Sequence, residues 1–436
     1  MRNHLTSSNV FALVVDHLNQ SNLRYCLLRT DESNPFSESE LDVLVHPNDS
    51  ALFDSIVKEA GFILWKSRDV LKKKVYAIYT ENKLLLIDVH FAMIQNGIEY
   101  LSLEGIFDRR IKNDMFYTLS REDSFLHYFY HNLLGKSHIQ VKHLPIIKKL
   151  INSGLNWEYI ETKIKSPKIK NIVDQFIKAP DKFSEPSDQT IKFCNEVRSI
   201  FLTSFSNRFR VWYLKNIIRK FNRNKGVHFA FMGVDGAGKS SLIETLDNNL
   251  KDVKGVKHRI VYMGPWGHSL SPWHKWVLNK QISLPAENEK KSIFKKFKQQ
   301  LKGLTYYSSI FLELWYRYFK LVRPSIKKGQ IVLSDRYVYD LRHIYKKRPV
   351  KGFRFARFFI CKFFPKPDNV VFLYNEPKVI VERKPQLDAQ SIKMFQDYYR
   401  DTLKNYEHQQ ILTDRSPGIL AEETLSKLMA LLLNRN

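Results

Sequence analysis

Residues 227–241 read Val227-His228-Phe229-Ala230-Phe231-Met232-Gly233-Val234-Asp235-Gly236-Ala237-Gly238-Lys239-Ser240-Ser241. An apolar run of strand composition ends at a glycine, four residues pass, and Gly-Lys-Ser opens a stretch of helical spacing from Ser240 to Leu250. The pattern G-x-x-x-x-G-K-[ST] between a strand and a helix is that of a phosphate-binding P-loop. Its glycines let backbone N–H groups converge on phosphate oxygens, with the positive end of the helix dipole behind them. Lys239 is predicted to bridge the β- and γ-phosphates of a nucleoside triphosphate, with ATP the expected ligand, and Ser240 to hold Mg²⁺. Gly233, Gly236, Ala237, Gly238, Lys239, Ser240 and Ser241 are thus the expected nucleotide-binding set. The competing reading is a plain glycine turn between strand and helix.

Working outward, further strand-like runs at His258 to Met263, Ile331 to Ser334, Asn369 to Tyr374 and Ile411 to Thr413 alternate with long helical stretches. That alternation predicts an α/β fold, a parallel sheet with helices on both faces. Ile331-Val332-Leu333-Ser334 runs into Asp335 and Arg336, an acid and a cation at a strand end. Asp335 suits a metal-side role and Arg336 the neutralisation of phosphate charge; otherwise Asp335 only caps the next turn.

These residues resemble a family. Phe231 to Ser241, Ser334-Asp335-Arg336-Tyr337 and Pro367-Asp368-Asn369-Val370-Val371-Phe372-Leu373 look like the thymidylate-kinase-like branch of the nucleoside monophosphate kinases, over about Gly226 to the C-terminus. The resemblance implies that Asp235 faces the acceptor, that Arg336 contacts transferred or acceptor phosphate, and that Arg383 and Lys384 open a lid; a cationic helix end is the plainer reading of that last pair. The chain departs from the family at Met232, where an acid is usual, and at Met263-Gly264-Pro265-Trp266, where an R-E-P-G acceptor loop is usual. Trp315-Tyr316-Arg317-Tyr318 stands where an Asp-Arg pair would read the base. Asp335 to Asp340 and Glu382-Arg383-Lys384-Pro385 look more like divergent thymidylate-kinase-like proteins found among bacterial surface-polysaccharide genes. That likeness implies a kinase with a sugar-bearing acceptor, thymidylate kinase being the alternative.

The N-terminal part reads differently. Tyr25 to Leu28, Leu41 to Val45, Val75 to Thr80 and Leu84 to His90 are predicted strands, Val10 to Asn19 and Pro47 to Ala60 helices, and Glu122 to Ile177 a helical region. Glu40 and Asp42 share one strand face, because side chains alternate with period two, and Asp88 ends a later strand. Three converging carboxylates can hold Mg²⁺ ions that activate an attacking hydroxyl. The arrangement resembles the nucleotidyltransferase fold, in its uncharacterised bacterial branch, over roughly Leu23 to Leu150, with Arg29-Thr30-Asp31 where a Gly-Ser turn is usual. An acidic strand facing solvent, or a domain kept only for binding, are the alternatives. His127 and His131 share a helix face near His138 without the glutamate of H-E-x-x-H, which favours ordinary core or surface histidines.

The expected organisation is therefore a nucleotidyltransferase-like domain with a helical extension (1–180), a helical connector after Ala179 to Ser187 (181–225) and a P-loop domain (226–436). Lys+Arg of 70 against Asp+Glu of 44 leaves a net charge of +26, which draws anions at long range. Nucleic acid is a second partner class on that ground, as a nucleotide-switched binding module. Patches such as Lys72-Lys73-Lys74, Lys290-Lys291, Lys295-Lys296 and Arg342 to Arg348 read as solvated faces. The basic aromatic stretch Phe353 to Phe364 allows peripheral membrane contact or a helix packed on the sheet. Three dispersed cysteines, no signal segment and no spanning apolar run point to a cytoplasmic location.

Overall fold

A computed structural model describes residues 7–28, 36, 39–80, 83–218, 226–253, 255–265, 269–279, 293–342, 354–385 and 387–435. The chain forms two compact units, Met1–Asn222 and Arg223–Arg435.

The first unit starts with α1 (Ser7–Gln20), β1 (Tyr25–Leu28), β2 (Glu40–Val45), α2 (Ser50–Glu59), β3 (Ile63–Arg68), β4 (Lys73–Thr80) and β5 (Lys83–His90). A hairpin of β6 (Met93–Gln95) and β7 (Ile98–Leu101) and short strands β8 (Ile111–Lys112) and β9 (Tyr117–Thr118) follow. Seven strands join in the order β3-β4-β5-β2-β1-β9-β8, with β2 parallel to β5 and β1 parallel to β9. Period-two alternation sorts the side chains between two cores. Tyr25, Leu27, Leu41, Val43, Ile87 and Val89 pack with Phe11 of α1 and Phe53 of α2, while Cys26, Leu28 and Leu44 join a second core built largely from helices. The edge strand β3 has no counterpart among the predicted elements. Its ILWKSR is mostly exposed or half-buried and its pairing with β4 shifts register between Leu64 and Lys66, so no clean alternation marks it.

The helical layer comprises α3 (Arg121–Lys136), α4 (Leu144–Asn152), α5 (Trp157–Lys163), α6 (Pro167–Lys178), α7 (Asp188–Phe201) and α8 (Phe205–Tyr213). Ser120, Asn156, Ser166 and Ser187 each cap a helix by accepting a backbone N–H from the first turn. The segment expected as a connector supplies α7 and α8, and both pack on the first unit: α7 against α3, α6 and β7, and α8 through Asn207 and Arg210, which bond Glu99 of β7.

The second unit holds β10 (His228–Met232), α9 (Lys239–Asp252), β11 (His258–Tyr262), α10 (Pro272–Asn279), α11 (Ile293–Arg317), α12 (Arg323–Lys327), β12 (Ile331–Asp335), α13 (Arg354–Phe363), β13 (Asn369–Tyr374), α14 (Pro377–Arg383), α15 (Ala389–Leu403), β14 (His408–Leu412) and α16 (Pro417–Asn434). Its five strands are all parallel in the order β11-β12-β10-β13-β14. The central β10 is buried along its whole length, as a strand covered on both faces must be. The sheet edge β14 starts earlier than its sequence suggested, because the polar His408-Gln409-Gln410 masks it. Among the described residues no helix is long and apolar enough to cross a membrane.

Candidate active sites

β10 ends at Met232 and the chain turns sharply at Gly233, whose φ of +149° and closeness to the Leu373 carbonyl of β13 leave no room for a Cβ. Gly236 and Gly238 also have positive φ, and Gly238 caps α9. Lys239, in the first turn of α9, is buried, and its Nζ donates to the carbonyls of Gly233 (3.0 Å) and Val234 (2.8 Å) with the Asp235 carboxylate at 3.8 Å. Burial, then the charge of Arg336, lowers its pKa to about 8.

The parallel register brings the acid of β12 alongside. Asp335 lies opposite Phe231 of β10 and Tyr262 of β11, at the strands' C-terminal edge. Its Oδ1 is buried and has no hydrogen-bond partner among the described residues. Arg336 follows at φ +62°, a left-handed conformation that costs a non-glycine residue about 1–3 kcal/mol. Three contacts hold it there: its N–H donates to Phe231 O (3.0 Å), and its guanidinium pairs with Asp235 and, at 2.9 Å, with the buried Asp340. Asp340 also accepts from Tyr399 (2.9 Å). Burial opposes the Arg336 charge, but Asp340 and Asp235 keep its pKa above the ordinary value. Burial likewise opposes the Asp235 charge, yet Arg336, Lys239 and Lys384 hold that carboxyl below its usual range.

These groups line a cavity of about 480 Å³ with Ser240, Ser241, Arg383 and Lys384. Arg383 and Lys384 stand at the end of α14, so both readings of that pair describe one position; Arg383 donates to the Thr413 carbonyl at 3.1 Å. Thr413, Arg415, Pro417 and Leu420 complete the wall and were not anticipated. Their signal was the turn after the last strand, since parallel sheets open their ligand crevices beyond the carboxyl ends of the strands.

The loop after β11 lies against Asp335 and Arg336. Met263 N–H donates to Asp335 O (3.0 Å), and Gly264 packs so closely on Arg336 that an added Cβ would sit 3.0 Å from its Cδ. Arg317 is not a free cation for an acceptor. It is buried, donates to Glu313 (2.6 Å) and holds the Gly264 carbonyl (3.0 Å), while Glu313 accepts the N–H groups of Leu270 (2.7 Å) and Ser271 (2.9 Å). Trp266 and the Arg342 side chain lie outside the described residues, as do Arg29-Thr30-Asp31, Glu81, Asn82, Lys290-Lys291 and Phe353.

In the first unit, the parallel register of β2 and β5 sets Asp42 opposite Asp88. The group that closes is Asp42, Asp88 and His90, with ligand atoms all within 4.8 Å of one another. Glu40, expected as the first acid, lies one step away opposite Leu86 and does not join it; His90 takes the third place because it follows Asp88 at period two. Asp88 Oδ1 is buried with no hydrogen-bond partner among the described residues, and Oδ2 receives Lys73 at 2.5 Å. Lys74 pairs with Asp54 at 2.6 Å, so two lysines of the patch read as solvated are engaged. Lys66 is close by, and burial with the like charges of Arg68 and Lys73 brings it to about 8. His127 is buried and shares a hydrogen bond with Tyr100 (2.8 Å), His138 bonds the Lys136 carbonyl (3.0 Å), and among the described residues neither belongs to a metal-ligating group.

Residues 38–183 match a family described as uncharacterised nucleotidyltransferase. The chain is 27% identical over 162 residues to the "Probable thymidylate kinase 2" of Saccharolobus solfataricus, covering 36% of this chain and 64% of that protein. It is 28% identical over 217 residues to the thymidylate kinase of Mycoplasma mobile, covering 47% of this chain and 95% of that kinase. The fold is mixed α/β, with a parallel sheet and an N-terminal nucleotidyltransferase-like domain.

Proposed function

We propose that the second unit is a P-loop kinase that moves the γ-phosphate of ATP onto an acceptor hydroxyl or phosphate. The observation that carries this reading is the convergence of Lys239, Arg336 and the orphaned Asp335 oxygen in one cavity at a P-loop. The glycine turns leave backbone N–H groups able to face phosphate oxygens. Lys239 exchanges its two loop carbonyls for β- and γ-phosphate oxygens, and Arg336 neutralises charge developing on the transferred group. Asp235, paired with Arg336, faces the acceptor. Ser240 and Asp335 would hold Mg²⁺, which when bound neutralises phosphate charge, and the buried, unbonded Asp335 Oδ1 suits that ligand. Arg383, Lys384 and Arg415 flank the nucleotide.

A sugar-bearing acceptor, of the kind used in surface-polysaccharide assembly, is favoured by the loop Met263-Gly264-Pro265, which has no arginine for a bidentate grip on a monophosphate, and by the commitment of Arg317 to Glu313. The names of the relatives favour the second reading, a thymidylate kinase. Label transfer from γ-labelled ATP to a panel of nucleotides and free or phosphorylated sugars separates them: thymidine monophosphate accepting label as well as the best sugar would overturn the first reading.

For the first unit the proposal is nucleotidyl transfer. Asp42, Asp88 and His90 would hold a divalent metal, which supplies activation of an attacking hydroxyl, and Lys66 and Lys73 offer positive charge to a triphosphate. Nucleotidyl transfer persisting in Asp88→Asn would remove this assignment.

A further inference from the structure

The P-loop unit carries an apolar surface that the chemistry above does not use. On α13, Phe355, Phe359 and Phe363 recur every fourth residue and point outward; Phe355 is 80% exposed and Phe363 56% exposed, while Ile360, Cys361 and Phe364 on the other side are buried. On α11 and the turn after it, Leu312, Tyr316 and Phe319 are also exposed. The two elements pack on each other, with Trp315 meeting Phe364 on the buried side of α13 (5.4 Å) and Phe319 stacked on Trp315 (5.3 Å). The neighbouring α10, packed on α11, exposes the stacked pair Trp273 and Trp276. Contiguous exposed aromatics on this scale mark an interaction surface rather than chance exposure.

The charge around the rings selects the occupant. Exposed Lys275, Lys320 and Lys362 lie on these elements and Arg323 opens the adjoining α12, with Lys320 5.1 Å from the Tyr316 ring centre, Arg323 5.3 Å from Phe319 and Lys362 5.6 Å from Phe358. Acids are sparse on these elements: Glu313 is the one acidic residue of α11 and is buried, and α10 and α13 carry none. We propose that α10, α11 and α13 dock on an anionic phospholipid surface, the rings entering the acyl boundary while the lysines and arginines stay with the headgroups. A second copy of this chain would bring a like-charged face to it. Single-stranded nucleic acid would stack on the rings but would leave the leucine of α11 without an apolar environment. The buried side of α11 carries Glu313 and Arg317, which hold the loop beside Arg336, so the docking face and the acceptor-side loop share one helix.

Flotation of the full-length protein with vesicles, without nucleotide, tests this independently of the kinase reading. Vesicles containing phosphatidylglycerol should retain it roughly tenfold more strongly than phosphatidylcholine alone, and salt should weaken retention. Brominated acyl chains should quench tryptophan fluorescence only in the anionic vesicles. Phe355→Glu/Phe363→Glu, at positions exposed enough to leave the fold intact, should lower retention roughly tenfold or more with unchanged phosphate transfer to a soluble acceptor. No preference for anionic vesicles, equal retention of the double variant, or binding to single-stranded RNA that excludes vesicles would each overturn the proposal, as would a concentration-dependent dimer that buries the same residues. If the double variant does not fold, the quenching of the unaltered protein decides.

Discussion

Lys239 is a buried cation beside Arg336, held by the carbonyls of Gly233 and Val234, and under the proposed kinase reading its charge serves a ligand's phosphates. Lys239→Ala is expected to lower phosphate transfer by roughly 10²–10³-fold, with thermal stability equal to or above that of the parent, because a buried charge is removed. Loss of folding together with activity would make the lysine structural. His228 tests the interior differently. Fully buried and bonded to Ser334 at 2.7 Å, it is lowered by desolvation to about 3. As pH falls below about 6.5 the unfolded chain takes up this proton first, so the stability is complete above that pH and drains away towards pH 3. His228→Gln, which can still reach Ser334 and gains no proton, should lose about 2–3 kcal/mol less than the parent between pH 7 and 4.5 in urea titrations. Parallel slopes would show that the imidazole takes up its proton as readily in the folded chain as in the unfolded one.

At the scale of elements, α11 shows what packing adds to a local rule. Glu313 and Arg317 are four apart, the spacing of an intrahelical ion pair. Only the packing of α11 against the loop after β11 buries the pair and turns both side chains to backbone groups. Arg317→Ala should therefore cost about 3–5 kcal/mol by leaving a buried carboxylate without its cation. A cost under about 1 kcal/mol in chemical denaturation would place the pair in solvent. The same contrast separates the strands: β10, β12 and β13 are apolar runs plain in the sequence, whereas polar residues hide the edge strand β3 and the start of the edge strand β14.

On the scale of the whole molecule, each candidate site is completed inside one unit, the acids of β2 and β5 in the first and the P-loop cavity in the second. Asp42→Asn and Asp88→Asn should accordingly leave γ-phosphate transfer nearly unchanged while removing any nucleotidyl transfer. Both reactions stopping in either variant would join the two sites into one. The boundary itself was less legible. The Pro- and Ser-rich stretch near Ala179 reads as the linker, but α7 beyond it buries Cys194, Val197 and Phe201 in the helical core of the first unit.

The sequence by itself determined the P-loop, the parallel character of the second sheet and the acid-cation pair Asp335-Arg336, because each rests on short-range requirements: positive φ at glycines, burial on both strand faces, and a polar residue at a strand's end. It also pointed to Asp42 and Asp88, since period two fixes which side of a strand a residue takes. Tertiary structure alone decided that His90 rather than Glu40 closes the acidic group, that Lys73 meets Asp88, and that Thr413 and Arg415 reach the cavity beside Lys239. Those choices depend on inter-strand register and on where distant turns converge, and neither is encoded in the spacing of neighbouring residues.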